Sequence, residues 1–482
     1  MSPPTHERRR LRAAVALMAV VAALGVSAVA PSPAGSAAAV PAGVDDRVDG
    51  EAASTPTATP IKHFITLMQE NHSFDNYFGT YPGADGFAPD TCVPVDPDVA
   101  GGSCVEPFWL GDQPITDLGH TSEVFEAQFA GGDMDGFVEA FADRNEEAGE
   151  QTVGYYDDRD LPYYWNLADE YVLFDRFFTS AHGGSVRNHF YWVAAHPGNT
   201  EEDGLRAEGF DEVRTIFDEL QAAGVSWKFY VQNYDPEINF RNPVTGPRAA
   251  QRVWVPLLNY NRFLDDPELS SRIVGLDQYF EDLATGQLPS VAYIVPSGAS
   301  EHPPGSIQAG ERFVRSLIDA LMRSSAWESS AFTWTYDDWG GWYDHVAPPQ
   351  VDEFGYGFRA PALLVSPYAR RGHIDSTTLD FTSLLTFIEN NWGVPPLAAR
   401  DATANDIVSA FDFDQAPREP ALLGRSRETP PRPPSNAGVI YGTYAAAPLA
   451  SAALAAALGL GRRRRRGRGR WAHDAATSGR RR

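Results

Sequence analysis

Short apolar runs alternate with helical periodicity through the middle of the chain. The runs "IKHFITLM" (61–68), "SWKFYVQN" (226–233), "SVAYIVP" (290–296), "AFTWTYD" (331–337) and "PALLVSP" (361–367) are rich in β-branched and aromatic residues and read as strands. "EVRTIFDELQAAG" (212–224), "ERFVRSLIDALMRS" (311–324) and "FTSLLTFIENNWG" (381–393) place apolar residues three and four apart and read as helices; the first and third end on glycine. Helix 212–224 leads directly into strand 226–233. The alternation predicts an α/β fold with a mostly parallel central sheet, in which ligands gather beyond the carboxyl ends of the strands.

The ends of the chain differ from this middle. Arg8, Arg9, Arg10 and Arg12 precede a short apolar segment, Ala13 to Ala30, that closes on "AVA", the pattern of an export signal. Residues 437–461 form an uncharged Ala/Leu-rich stretch, followed at once by "RRRRRGRGR". A span with that flank predicts a membrane anchor with the basic cluster on the cytoplasmic side. The expected organisation is a signal peptide (1–44), a linker (45–60), a catalytic domain (61–413), a Pro-rich stalk (414–436), the anchor (437–461) and a basic tail (462–482). The body is therefore expected outside the cytoplasm, tethered to the cytoplasmic membrane or otherwise secreted.

Composition adds little to the fold but narrows the partners. With 482 residues, 43% of them hydrophobic, the chain can bury a large core. The net charge is −25, and much of the positive charge lies in the two ends, so the body is more acidic still. Such a body does not seek nucleic acid. Cys92 and Cys104 share one Pro/Gly/Asp loop, which in an exported protein predicts a disulfide.

Several strand ends carry unusual chemistry. The first strand runs into Gln69-Glu70-Asn71, and a carboxylate is rarely buried unless it is paired or binds a metal. "FTWTYDDWGGWYDHVAPP" (332–349) meets Asp337-Asp338 in the same way, followed by Gly340-Gly341 and Asp344-His345. Adjacent acids repel unless a cation sits between them or one is protonated; a helix cap plus a solvated loop acid explains the pair equally well. In "FTSAHGGSVRNHFYW" (178–192), two glycines set Ser185 at a turn, either as part of an oxyanion nest or as a plain helix cap. His120 and His302 stand in loops and would not stand out alone.

Together, "IKHFITLMQENHSFDNYFGTYPG", "GGSVRNH", "SEHPPGS" and "TYDDWGGWYDHVAPP" resemble the bacterial phosphoesterase family of non-haemolytic phospholipases C and respiratory-burst-inhibiting acid phosphatases. "GFRAPALLVSPYARRGHIDSTTLDFTSLLTFIENNWG" resembles that family's closing segment, so the likeness spans about residues 61–393. It implies an alkaline-phosphatase-like α/β/α sandwich. It also implies that Glu70 and Asn71, with Asp337 and Asp338, hold one divalent ion (Ca, Mg or Zn), and that Ser185 is the nucleophile of a phosphoserine mechanism. Asn188 matches the family frame, whereas Arg187 and His189 stand where a proline and an arginine are usual. His120, His302 and His345 match histidines near the phosphate, and His345 is the first choice for the leaving-group acid. The implied substrate is a phosphate mono- or diester, with a phospholipid head group among the candidates. A sulfatase on the same fold would need Pro and Arg two and four residues after Ser185, and both are missing. A surface binding protein with a degenerate site would lack ligands, and all four positions are filled.

Overall fold

The computed structural model describes residues 56–426, apart from 143–145 and 203. The expected signal peptide, membrane anchor and basic tail lie outside the described residues. Among the described residues, no helix is long and apolar enough to cross a membrane.

One sheet of eight strands forms the centre. In chain order they are β1 (His63–Gln69), β2 (Val172–Phe174), β3 (Trp227–Val231), β4 (Ile273–Gly275), β5 (Val291–Val295), β6 (Ser330–Tyr336), β7 (Ala362–Val365) and β8 (His373–Asp375). Their spatial order is β8-β2-β7-β6-β1-β5-β3-β4. All run parallel except β7, which pairs antiparallel with both β6 and β2. All five expected strands form. The strands that the pattern missed are β2, β4 and β8, each three residues long and too short to show a period.

The helices that matter here are α1 (Phe74–Phe78), α2 (Ser122–Phe129), α3 (Pro162–Glu170), α4 (Ser185–Ala194), α5 (Ile216–Ala222), α6 (Asp277–Thr285), α7 (Ile307–Met322) and α8 (Phe381–Trp392). Register and alternation settle which face each covers. Thr66, Tyr293 and Phe229 are aligned partners on β1, β5 and β3 and share a face. Trp192 of α4 donates from Nε1 to Thr66 Oγ1 and packs on Tyr293, while Phe217 of α5 packs on Phe229. α8 packs against α4 on this side. On the opposite face Tyr164 of α3 packs on Trp334 and Tyr279 of α6 meets Tyr230, with α7 beside α6. The result is an α/β/α sandwich, as expected.

Two helix boundaries moved. Segment 212–224 becomes helical only at Ile216, because Thr215 and Asp218 form a reciprocal cap there, with Thr215 N donating to Asp218 Oδ2 at 2.8 Å. α7 starts at Ile307 rather than 311, where Ser306 Oγ accepts from Ala309 N at 3.2 Å.

The first part of the expected stalk, residues 414–426, is bound to the body. Arg418 donates to Ala369 O and to Glu170, Trp327 Nε1 donates to Arg418 O at 2.9 Å, and Arg425 pairs with the buried Glu311. Arginine in this segment supplies ordered donors, so the body continues past the expected end at Phe413. The expected disulfide joins Cys92 to Cys104 across a small two-stranded ribbon.

Candidate active site

β1 and β6 lie side by side at the centre of the sheet, and their register builds the site. Gln69 aligns with Tyr336, and Asp337 N donates to Gln69 O at 3.1 Å, extending the ladder by one step. The next residues, Glu70 and Asp337, therefore project together onto the α4 face. Gln69 and Tyr336 project onto the opposite face.

Beyond this step the chain turns. Asn71 has a left-handed φ of +66°, which asparagine tolerates better than most residues. Asn71 N donates to Asp337 Oδ1 at 3.2 Å, Asp338 N to the same oxygen at 2.8 Å, and Gly340 N to Asp338 Oδ1 at 2.8 Å. Gly340 has φ +63°, and a Cβ there would sit 2.2 Å from Asn71 O, so only glycine permits the two strand ends to meet.

α4 brings the remaining groups. Ser185 is its first residue, and Ser185 Oγ donates to Asp338 Oδ2 at 3.2 Å. Asn188 does not face the site. Its Oδ1 accepts from Ser180 N and Ala181 N at 2.9 and 3.0 Å, and its Nδ2 donates to Gly183 O and Gly184 O. It braces the turn that presents Ser185. His189, one helical turn after Ser185, points between the two acids. Its ring nitrogens lie 3.7 Å from Glu70 Oε1 and from Asp337 Oδ2.

Glu70, Asn71, His189, Asp337 and Asp338 are all buried. Burial, and then the neighbouring acids Asp337 and Asp338, hold the Glu70 carboxyl well above its ordinary pKa. Burial and Asp337 do the same to Asp338, and burial lowers the pKa of His189. Asn71 Oδ1, Asp337 Oδ2 and His189 Nε2 are buried without a hydrogen-bond partner. Converging acids with orphaned acceptors fit a cation far better than each other. One ligand atom from each of Glu70, His189 and Asp337 lies within 4.8 Å of the other two. His189 was not among the sequence-based ligands. Its signal was its spacing, since residues i and i+4 share a helix face and Ser185 was already a candidate.

Two of the three candidate histidines edge this pocket. Asn71 Nδ2 donates to His120 Nε2 at 3.0 Å, and that nitrogen is 3.9 Å from Asp338 Oδ2. His302 packs edge-on against His120, their ring centroids 5.7 Å apart. His345 stands elsewhere. Its Nδ1 bonds Asp75 Oδ2 at 2.6 Å and its Nε2 is 3.5 Å from Asp85. The buried Arg359 pairs with Asp75 at 3.1 Å and with Asp344 at 2.9 Å. Asp75, Asp344 and His345 thus form a second acid–imidazole group, whose two carboxylates share the single cation Arg359. Burial works against a charge on His345, but Asp75 overrides it and raises the pKa. The preference for His345 as the leaving-group acid is not matched by this position, because its ring is committed to Asp75 and Asp85 while His120 and His302 stand beside Asp338.

On the opposite face of the same strand ends lies Glu301, fully buried. Its carboxylate accepts from Tyr77 at 2.5 Å and from Tyr164 and Tyr336, each at 2.6 Å. Gln69 Oε1 accepts from Glu301 N at 3.3 Å, and His72 Nε2 donates to Glu301 O. Burial lifts its pKa to about 7 against the lowering effect of the three hydroxyls. Gly310 lets α7 approach, since a Cβ there would sit 2.1 Å from Glu301 Oε1. Glu301 lies in the segment "SEHPPGS", but its role was not legible there, because its three tyrosines are far apart along the chain.

Several known proteins resemble this chain in sequence. Phospholipase C B of Mycobacterium tuberculosis is 29% identical over 432 residues, covering 74% of this chain and 79% of that protein. Phospholipase C A of the same organism is 30% identical over 417 residues, covering 74% and 78%. A solved alkaline phosphatase superfamily protein from Vibrio parahaemolyticus is 14% identical, with a TM-score of 0.38 and 75% of each chain covered. The model of the Phosphoesterase family matches residues 61–395, the whole of the sheet and both strand ends that carry the acids. The chain belongs to the Phosphoesterase family and is a hydrolase of phosphoric ester bonds.

Proposed function

We propose that this protein is a metal-dependent phosphoesterase of the phospholipase C type, working through a phosphoserine intermediate. The observation that carries the reading is Ser185: a hydroxyl at a helix N-terminus, hydrogen-bonded to one of three buried acids that have no lysine or arginine partner among the described residues. Glu70, Asn71, Asp337 and Asp338 would hold a divalent ion, which when bound neutralises phosphoryl charge and acidifies the serine hydroxyl. The amides at the start of α4 favour the phosphate's remaining charge.

Ser185 Oγ attacks phosphorus in line, passing its proton to Asp338 Oδ2. A P–O(Ser) bond forms and the bond to the leaving oxygen breaks. His302, at the mouth of the pocket, gives that alkoxide a proton. Water then attacks the phosphoserine and gives one proton to the histidine, while the P–O(Ser) bond breaks and Asp338 returns its proton to Ser185 Oγ. The relatives' names support a phospholipid diester as substrate. The export pattern at the N-terminus and the formed disulfide support action outside the cytoplasm.

The test is hydrolysis of p-nitrophenyl phosphorylcholine and p-nitrophenyl phosphate, with and without chelator, and acid quenching with a radiolabelled substrate. Chelator-sensitive diester cleavage with label retained on Ser185 is expected. Chelator-insensitive turnover would overturn metal dependence, label found elsewhere would overturn the nucleophile, and a strict preference for the monoester would make the enzyme a phosphatase.

A further inference from the structure

The four oxygen donors that the strand ends supply are those of a hard-ion site. His189 does not belong to that set, and its surroundings are hard to explain without a metal. It is fully buried and lies on α4 directly between Glu70 and Asp337. Its Nδ1 is 2.9 Å from Ser185 O, and a carbonyl only accepts, so Nδ1 carries the hydrogen. In the neutral ring the lone pair then sits on Nε2. That nitrogen has no hydrogen-bond partner, and its 3.7 Å approach to Glu70 Oε1 is too long for one. Asp337 Oδ2 and Asn71 Oδ1 are orphaned in the same pocket. Glu70 Oε1 stands 3.7 Å from Nε2, and Asp337 Oδ2 stands 3.7 Å from Nδ1 on the other side of the ring. An imidazole lone pair set beside buried acids that it does not bond is arranged to share an ion rather than a proton. The hydrogen bond from Nδ1 to a main-chain carbonyl is the support that metal-bound histidines commonly have, since it fixes the tautomer and the ring plane.

We infer that His189 ligates the ion through Nε2, so that the site takes an imidazole-seeking cation of the zinc class in preference to Ca2+ or Mg2+. This rests on the metal-dependent reading above and narrows it. Imidazole suits zinc, copper, iron and nickel, whereas calcium and magnesium prefer oxygen alone. The placement also ties the ion to the nucleophile. His189 and Ser185 share one turn of one helix and one hydrogen bond, so a ligand bond to His189 fixes the height of Ser185 above the acids.

The experiment is calorimetric titration of the full-length, chelator-stripped protein with Zn2+, Ca2+ and Mg2+ separately, for the unsubstituted chain and His189→Gln. The unsubstituted chain is expected to bind one Zn2+ more tightly than Ca2+. In His189→Gln the Zn2+ affinity should fall at least about 10-fold, the smallest loss that even a supporting residue produces, with Ca2+ affinity changing less. Equal losses for both ions would overturn the inference and leave the metal-dependent reading intact. Binding of no ion by the unsubstituted chain would overturn both. If His189→Gln does not fold, X-ray absorption fine structure of the zinc-loaded unsubstituted chain and of His120→Gln decides. An imidazole shell present in both is expected. Its absence, or its loss on changing His120 alone, would overturn the assignment.

Discussion

Glu301 gives the fold a pH dependence that one substitution should remove. The carboxyl is fully buried and its pKa rises from an ordinary 4.5 to about 7. An acid that binds its proton more tightly when folded stabilises the folded state most when protonated. Its contribution is complete below about pH 4.5, the unfolded value, and is lost as pH rises through the folded value near 7. At 1.36 kcal/mol per unit of pKa, the loss across that window is about 3 kcal/mol. Glutamine matches glutamate in size, can accept from the tyrosine hydroxyls through Oε1, and does not titrate. We expect the stability of Glu301→Gln relative to the unsubstituted chain to rise by about 3 kcal/mol between pH 4.5 and pH 8. The assay is urea unfolding of both proteins at a series of pH values, at fixed ionic strength and with chelator present throughout. Every other ionisable group is the same in both chains, so its contribution is expected to cancel in the difference. A difference that stays constant within about 1 kcal/mol, less than one unit of pKa, would refute the reasoning: the three hydroxyls would then keep Glu301 charged at every pH tested.

Four further outcomes follow from the site. Ser185→Ala should abolish turnover while shifting stability by about 0.5 kcal/mol or less, checked by steady-state kinetics and a thermal melt. Gly340→Ala should cost at least about 1–2 kcal/mol for its left-handed backbone alone, and should lower metal content by pushing on Asn71; elemental analysis of the purified variant reads this. Asn188→Ala leaves the amides of Ser180 and Ala181 unpaired, at about 1–3 kcal/mol each, and should reduce kcat more than it raises KM because it misplaces Ser185 rather than a binding group. Reducing Cys92–Cys104, which closes a short loop, should cost up to about 3 kcal/mol and leave metal binding unchanged, as followed by denaturation with and without reductant.

Much of the site was legible because parallel strands buried on both faces read as unbroken apolar runs, and polar residues at their ends stand out against them. Glu70, Asn71, Asp337 and Asp338 were found that way. Register brought them together, and register is not written in either strand separately. His189 was visible only as a departure from the family frame, because the acids it faces, Glu70 and Asp337, lie far from it in sequence. Asn188 was visible as a residue but not as a brace, since its partners are main-chain atoms of the preceding turn. His345 looked like a catalytic histidine because it follows Asp337-Asp338 closely in sequence. Its position is set instead by Asp75, Asp85 and Arg359, which no local pattern connects to it. The body's end was placed too early because a Pro- and Arg-rich segment reads as a spacer whenever the acceptors for its arginines lie far away in sequence.

The reversed strand β7 has an evolutionary consequence. A parallel strand leaves the catalytic edge only by crossing to the far edge of the sheet. Because β7 runs the other way, the chain leaves β6 at Tyr336 and re-enters the sheet at Ala362 on the same edge. The whole stretch from Asp337 to Pro361 is one excursion on the catalytic side, anchored to the sheet at both feet. It contains the buried acids Asp337 and Asp338, the glycine that admits Asn71, and Arg359 with its acid cluster. Such a loop can lengthen, shorten or change its tip without altering any strand. The size and charge of the space above the strand ends can therefore change while the sheet stays as it is.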